Sequence, residues 1–205
     1  HGCLTLNNVC CGDDAAAPAR RQRVVEAGAF EAVVTAMRAH PQVVGVQGYG
    51  CQMLRSVCVG INAAALARLA EAGALEAVVG ALQAHLQVVS VQQRGCAALN
   101  SMCCGNDAAA PARRQRAVRL GALEAVVAAM QAYPQAACVQ ELGCAVLRFV
   151  LCCDGDAAAP ARRQRAAEAG VLEAVVEALQ AHPQAAGMHA LRVLAVMQAH
   201  SGSLF

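Results

Sequence analysis

The segment Gly28-Ala-Phe-Glu-Ala-Val-Val returns as Gly73-Ala-Leu-Glu-Ala-Val-Val, Gly121-Ala-Leu-Glu-Ala-Val-Val and Gly170-Val-Leu-Glu-Ala-Val-Val. The copies are 45, 48 and 49 residues apart. Self-similarity at such a period is the mark of a solenoid, in which each unit buries its apolar face only against its neighbours. The 205 residues therefore read as one continuous array and not as one or two globular domains. Such an array offers a long surface for contact and no expected catalytic pocket.

Three helical segments recur in each unit. The first follows Asp13-Asp14-Ala-Ala-Ala-Pro18 and ends at Gly28. Asp is a favourable N-cap, and Pro in the first turn loses no hydrogen bond. Gly28, Gly73, Gly121 and Gly170 suit a left-handed residue that closes the helix. The second segment carries Phe30, Val33, Val34 and Met37 at i, i+3, i+4 and i+7, one apolar helix face. The set recurs as Leu75, Val78, Val79, Leu82, then Leu123, Val126, Val127, Met130, then Leu172, Val175, Val176, Leu179. Burial is expected for these, with Glu31, Glu76, Glu124 and Glu173 more exposed. His-Pro-Gln or Tyr-Pro-Gln then turns the chain, with Leu86 in place of Pro in the second unit. The third helix is the longest, running from near Val43 to Val59 in one copy. Gly50, Gly95 and Gly143 lie inside it. Each costs about 1 kcal/mol against Ala, so close backbone approach by a neighbouring helix is expected there. Residues 1–11 read as an orphan third helix. Full units follow at 18–60, 63–105, 111–153 and 160–200, the last having lost residues from its third helix near Gly187-Met188-His189.

Composition excludes several roles. Hydrophobic residues make up 58%, but much of this is Ala, and the longest uncharged runs contain His, Gln and Gly or Pro. No membrane-spanning helix is expected, nor is a signal peptide visible. A net charge of +2 and 2% aromatics suit neither a general nucleic-acid binder nor a stacking platform, so no nucleic-acid partner is expected. Twelve cysteines fall in repeated sets: Cys3, Cys51, Cys96, Cys144, and Cys10-Cys11, Cys103-Cys104, Cys152-Cys153. Equivalent positions in stacked helices sit about 8–10 Å apart. That is too far for a shared zinc ion or a disulfide. They read as small buried apolar residues, with no metal and no cofactor. Many free thiols imply a reducing compartment, hence an intracellular, cytoplasmic location unless a targeting sequence lies outside this chain.

A short helix ending in Glu-Ala-Gly, then Gly-Ala-Leu-Glu-Ala-Val-Val, then a long helix of the form Val-Gln-x-x-Gly-Cys-x-x-Leu, resembles the armadillo repeat. The match covers essentially the whole chain. The resemblance implies an all-α fold, a right-handed alpha-solenoid of three-helix repeats, and a non-enzymatic binding scaffold. It places the third helices along an inner, concave groove where extended peptides bind. Importin-alpha-type members hold basic peptides with a Trp and an Asn four residues apart on this helix. The matching pairs here are Leu4 and Asn8, Gln52 and Ser56, Ala97 and Ser101, Ala145 and Phe149, His189 and Val193. Every Trp is missing and only Asn8 remains. One residue earlier lies a second ladder: Asn7, Arg55, Asn100, Arg148, Arg192. Its arginines favour an acidic or carboxylate-bearing peptide. The expected partner-binding set is Asn8, Gln52, Arg55, Asn100, Arg148 and Arg192. Solvated helix positions are the alternative reading.

Arg20-Arg21-Gln22-Arg23 recurs at 113–116 and 162–165. It reads either as a basic stripe or, with Asp13, Asp14, Asp107, Asp154 and Asp156 just upstream, as a solvated face with local pairing. His40, His85, His182 and His200 fall near helix C-termini, where a cation is mildly favoured. Nothing in these spacings suggests an enzyme. Two roles remain: a scaffold binding a protein or peptide, and a structural subunit built into a larger assembly. The uncovered apolar residues Leu4, Leu6 and Val9 of the orphan helix predict a longer protein with at least one repeat before residue 1.

Overall fold

A computed structural model describes residues 2–10, 14–58, 63–105, 107–152 and 157–201. Among them are thirteen α-helices and no strand. The chain divides into two compact units, His1–Met102 and Cys103–Phe205. The first holds α1 (Gly2–Cys10), α2 (Ala17–Glu26), α3 (Ala29–Ala39), α4 (Val44–Cys58), α5 (Ala63–Glu71), α6 (Ala74–Ala84) and nearly all of α7 (Val89–Cys103). The second holds α8 (Ala110–Arg119), α9 (Ala122–Ala132), α10 (Ala137–Leu151), α11 (Ala159–Glu168), α12 (Val171–Ala181) and α13 (Pro183–Ser201). Third helices stack on one another, α1 on α4 in the first unit and α10 on α13 in the second. Second helices do the same, α3 on α6 and α9 on α12.

Each hinge between first and second helix is the predicted glycine. Gly28, Gly73, Gly121 and Gly170 have φ of 73, 84, 85 and 74°. Each closes one helix and opens the next. The Gly28 amide donates to the Val25 carbonyl at 3.1 Å, and the Gly28 carbonyl accepts from Ala32 at 3.2 Å. A side chain at such φ is strained, which explains the recurrence of Gly. The helix start differs from expectation. The N-caps are Ala16, Ala109 and Ala158, none with a capping side chain. Asp14 and Asp107 lie two residues earlier, accepting from the amides of Ala16 at 2.9 Å and Ala109 at 3.1 Å. Their carboxylates are thereby left free to meet arginines one turn into the helix.

The apolar sets of α3, α6 and α9 are buried throughout. That of α12 is not: Val175 is buried, Leu172 and Leu179 are half-buried, and Val176 is 39% exposed. The matching Val34 and Val79 are shut in, with α6 stacked on α3. Beyond α12 no described helix takes that place. Glu31, Glu76 and Glu124 are half-buried and Glu173 is exposed, each more open than the apolar residue just before it, Phe30, Leu75, Leu123 and Leu172.

The third helix is locked to the second by a glutamine that the repeated Val-Gln dipeptide supplies. The Gln47 amide nitrogen donates to the carbonyls of Met37 at 2.8 Å and His40 at 2.9 Å. Gln92 donates to Leu82 and His85, both at 2.9 Å. Gln140 donates to Met130 at 2.8 Å and Tyr133 at 2.9 Å. These are C-terminal carbonyls of the second helix, which lack intrahelical donors. The interior glycines serve the same contact. A Cβ on Gly50, Gly95 or Gly143 would lie 2.6 Å from Met37 Sδ, Leu82 Cδ2 or Met130 Sδ. The close approach is thus by a side chain of the unit's own second helix, and not by a neighbour's backbone. The last unit has no such Gln. Its third helix, α13, is not shortened but spans 19 residues against 15 in α4, α7 and α10. It begins at Pro183 and absorbs the turn that the Gln clamp holds elsewhere.

Candidate functional site

The predicted binding residues divide between the two units. In the first, Asn8 on α1 and Arg55 on α4 are exposed, while Gln52 on α4 and Asn100 on α7 are half-buried. Asn7, the first rung of the ladder, is instead buried. Its Oδ1 accepts from Ser56 Oγ at 3.0 Å and ties α1 to α4. Arg94, which the ladder pattern did not single out, lies with its guanidinium carbon 4.8 Å from the centroid of the Tyr49 ring, a cation–π contact.

In the second unit, Arg148 on α10 is half-buried and stands 3.9 Å from the Phe149 ring centroid. Arg192 is exposed on α13, and the Cys152 thiol contacts its carbonyl at 3.5 Å. His189, half-buried on α13, reports on both arginines. Burial holds its pKa below the usual histidine value, Arg148 and Arg192 push it the same way, and Glu141 opposes them. Arg148 and Arg192 therefore set a local positive charge beside a His189 that is held toward its neutral form. Arg148 Nε and His189 Nδ1 are shielded from solvent and have no hydrogen-bond partner. The sequence reading found Arg148 and Arg192 but not His189, whose only signal was its place in the Trp position of the ladder.

The repeated Arg-Arg-Gln-Arg run is not a free stripe, nor is it simply solvated. Arg21, Arg113, Arg114, Arg162 and Arg163 are buried. The first Arg forks onto Asp: Arg20 to Asp14 at 2.8 and 2.7 Å, Arg113 to Asp107 at 2.8 and 2.6 Å. These guanidiniums hold both carboxyls down to about 2. Asp13, Asp154 and Asp156 lie outside the described residues. The second Arg reaches the end of the preceding third helix: Arg21 Nε donates to the Cys10 carbonyl and Arg114 Nε to the Cys103 carbonyl, both at 3.1 Å. Arg163 reaches the Leu151 carbonyl at 3.3 Å. A cation there meets the negative end of a helix, so the arginines face a favourable dipole from the helix before their own. The last Arg of the run, or its equivalent, crosses to the preceding second helix. Arg68 meets Glu31 at 3.3 Å and Arg165 meets Glu124 at 3.0 Å.

The histidines also join units. His40, His85 and His182 are C-cap residues of second helices. His85 Nε2 bonds the Pro41 carbonyl at 2.7 Å, and His182 Nε2 the Pro134 carbonyl at 2.8 Å. The His200 side chain lies outside what is described. Of the cysteines, Cys10, Cys51, Cys96, Cys103 and Cys144 are buried and Cys3, Cys58, Cys104, Cys138 and Cys152 half-buried, all as free thiols. Burial pushes Cys51 and Cys144 up to about 12. Cys11 and Cys153 lie outside the described residues. Among the described residues no group of three His, Cys, Asp or Glu side chains is placed to hold a metal ion, and no helix is long and apolar enough to cross a membrane.

Comparison with known proteins gives one family match and no significant match to a curated protein or a solved structure. The family model for the LRRK2 ARM repeat matches residues 24–195, from within α2 to well inside α13. ARM repeat arrays are helical, non-catalytic scaffolds for protein interaction. The stacked three-helix units, the left-handed glycine hinges and the extent of the match lead to one assignment: this chain belongs to the LRRK2 ARM repeat family.

Proposed function

We propose that this chain is an interaction scaffold whose third-helix surface holds an extended acidic peptide. Arg55, Arg148 and Arg192 pair with its carboxylates, and Asn8, Gln52 and Asn100 supply hydrogen bonds. The observation that carries this reading is the cluster of Arg148, Arg192 and His189 in the second unit. Burial first, and then the charges of Arg148 and Arg192, hold His189 below the usual histidine value, and Arg148 Nε and His189 Nδ1 are unpartnered. Arg113, Arg114 and Arg165 are committed differently, to Asp107, to the C-terminus of α7 and to Glu124 of the preceding unit. That leaves Arg55 and Arg192 among the exposed cations available to a ligand. A cytoplasmic setting accords with the free thiols.

The test is the Arg55→Ala, Arg148→Ala, Arg192→Ala triple variant, assayed by fluorescence anisotropy against a labelled poly-glutamate peptide and a poly-arginine control. Each charge-assisted contact removed costs roughly 1.5–3 kcal/mol if well formed, so the triple variant should lose at least a hundredfold in affinity with unchanged helicity. Undiminished binding would place the site elsewhere. A role as a structural subunit is favoured by a separate observation, the 75% and 58% exposure of Met188 and Leu191 on α13. Such a subunit would form a stable complex that survives high salt.

A further inference from the structure

One motif opens the third helices and varies at two places. It reads Val46-Gln-Gly-Tyr-Gly-Cys51 in α4, Val91-Gln-Gln-Arg-Gly-Cys96 in α7 and Val139-Gln-Glu-Leu-Gly-Cys144 in α10. Tyr49 and Arg94 thus hold the same position in successive repeats, and Gly48 stands where the others have Gln93 and Glu141. Gly50 recurs because it seats Met37, but Gly48 recurs in neither of the other two. Glycine is unfavourable inside a helix, and the packing shows what this one serves. A Cβ on Gly48 would lie 3.0 Å from Arg94 Nη1 and 3.8 Å from Arg94 Cδ. The missing side chain makes a seat in which the Arg94 guanidinium lies against α4, its carbon 4.8 Å from the centroid of the Tyr49 ring. Both residues are half-buried. Four other arginines end on a carboxylate: Arg20 on Asp14, Arg68 on Glu31, Arg113 on Asp107 and Arg165 on Glu124. Arg94 ends on a ring, and among the described residues no carboxylate pairs with it.

We propose that Arg94, seated by Gly48 on the Tyr49 ring, is a carboxylate anchor of the first unit and takes one glutamate or aspartate side chain of an acidic peptide. The proposal rests on the acidic-peptide reading above and adds to it a residue that the ladder pattern did not single out. A guanidinium presents a planar fork of N–H donors that matches the two oxygens of a carboxylate, and one such group balances one negative charge. The stacked ring orders that fork in advance, so less side-chain freedom is lost when a ligand binds. Arg55 is exposed, where an ion pair is worth little. It also stands six residues beyond Tyr49, about 9 Å along α4, and pairs with a different acidic residue. Arg94 is therefore the stronger contact of the two.

The probe is the labelled poly-glutamate peptide, read by fluorescence anisotropy on the full chain, with a urea titration of every variant. Arg94→Gln should weaken binding about tenfold or more, the worth of one charge-assisted contact. Tyr49→Phe keeps the ring and should bind as the native chain does. Tyr49→Leu removes the seat and should cost about two- to fivefold, as loss of a cation–π contact does. Gly48→Glu places a carboxylate beside the guanidinium and should reproduce the loss seen in Arg94→Gln. Gly48→Gln has the same shape without the charge and should lose less. If Arg94 only braces α7 against α4, Arg94→Gln lowers the urea midpoint and leaves the affinity unchanged, and that overturns the proposal. Equal affinity of the Gly48→Glu and Gly48→Gln chains overturns it as well. The triple variant of Arg55, Arg148 and Arg192 separates the two readings. If it binds like the native chain while Arg94→Gln does not, the earlier set falls and this anchor stands. A native chain that fails to bind poly-glutamate overturns both.

Discussion

Gln92 is wholly buried, and its amide nitrogen serves two carbonyls at the end of α6, those of Leu82 and His85. Removing it leaves the Leu82 carbonyl without a donor in a dry site, while the His85 carbonyl keeps the Val88 amide at 2.9 Å; one such orphaned group costs about 1–3 kcal/mol. Gln92→Ala should therefore lower unfolding free energy by at least that amount in urea titration. Gln92→Met, which keeps the volume, should recover little, because the loss lies in the hydrogen bonds. If Gln92→Met were as stable as the native chain, the residue would be a space-filler. The neighbouring Gly95 belongs to the same device. It lets Leu82 sit against the α7 backbone, and this is why a residue unfavourable to a helix recurs there.

The short first helix shows how an element with little apolar surface is held. Of α8, Ala110, Ala117 and Val118 enter the core together with Arg113 and Arg114. Arg113 forks onto Asp107, and Arg114 caps the end of α7 through the Cys103 carbonyl while also donating to the Gly105 carbonyl. Asp107 is held below its ordinary value of 3.8, down to about 2, first by the Arg113 hydrogen bonds. The folded state thus favours the carboxylate more than the unfolded state does. The stabilisation is complete above the unfolded pKa, about 4, and is lost as pH falls through about 2. Urea midpoints between pH 6 and pH 2 should drop across that window for the native chain. Asp107→Asn should flatten part of the drop and lower stability at pH 6. Parallel curves for the two chains would mean that the pair contributes nothing.

At the scale of the molecule, each unit repeats the same links between neighbours: Arg to Glu across the first and second helices, His to the Pro carbonyl across the turns, and apolar stacking of like helices. A chain built from nearest-neighbour contacts is stabilised along its length and not from one centre. The thiols give a readout of both units at once. Cys51 in the first and Cys144 in the second are buried and raised to about 12, so they should react with a thiol reagent only as fast as their unit opens. The half-buried Cys58 and Cys138 should react sooner. Mass spectrometry after timed alkylation separates them, and a fully denatured, reduced sample should take up label at all twelve cysteines. Rapid alkylation of Cys51 and Cys144 in the native state would contradict their burial.

Helix type, number per unit, the glycine hinges and the core faces of α3, α6 and α9 were legible in the sequence. They depend on local rules: apolar spacing at the helical period, a left-handed position that only Gly fills without strain, and Pro where an amide has no acceptor. The Val-Gln dipeptide and the Arg-Arg-Gln-Arg run were visible too, but their roles were not. A sequence gives the charge of Arg114 and leaves open whether it meets water or the carbonyl of Cys103, because that carbonyl belongs to another helix and comes near only when the helices stack. The same reason hid the ring of His85 on Pro41, the burial of Asn7 against Ser56, and the exposure of Val176, which carries the same repeat signature as the buried Val34 and Val79. Local sequence determined what each repeat is. Which of its side chains are spent on the neighbouring repeat, and which remain open to a partner, was decided by the packing.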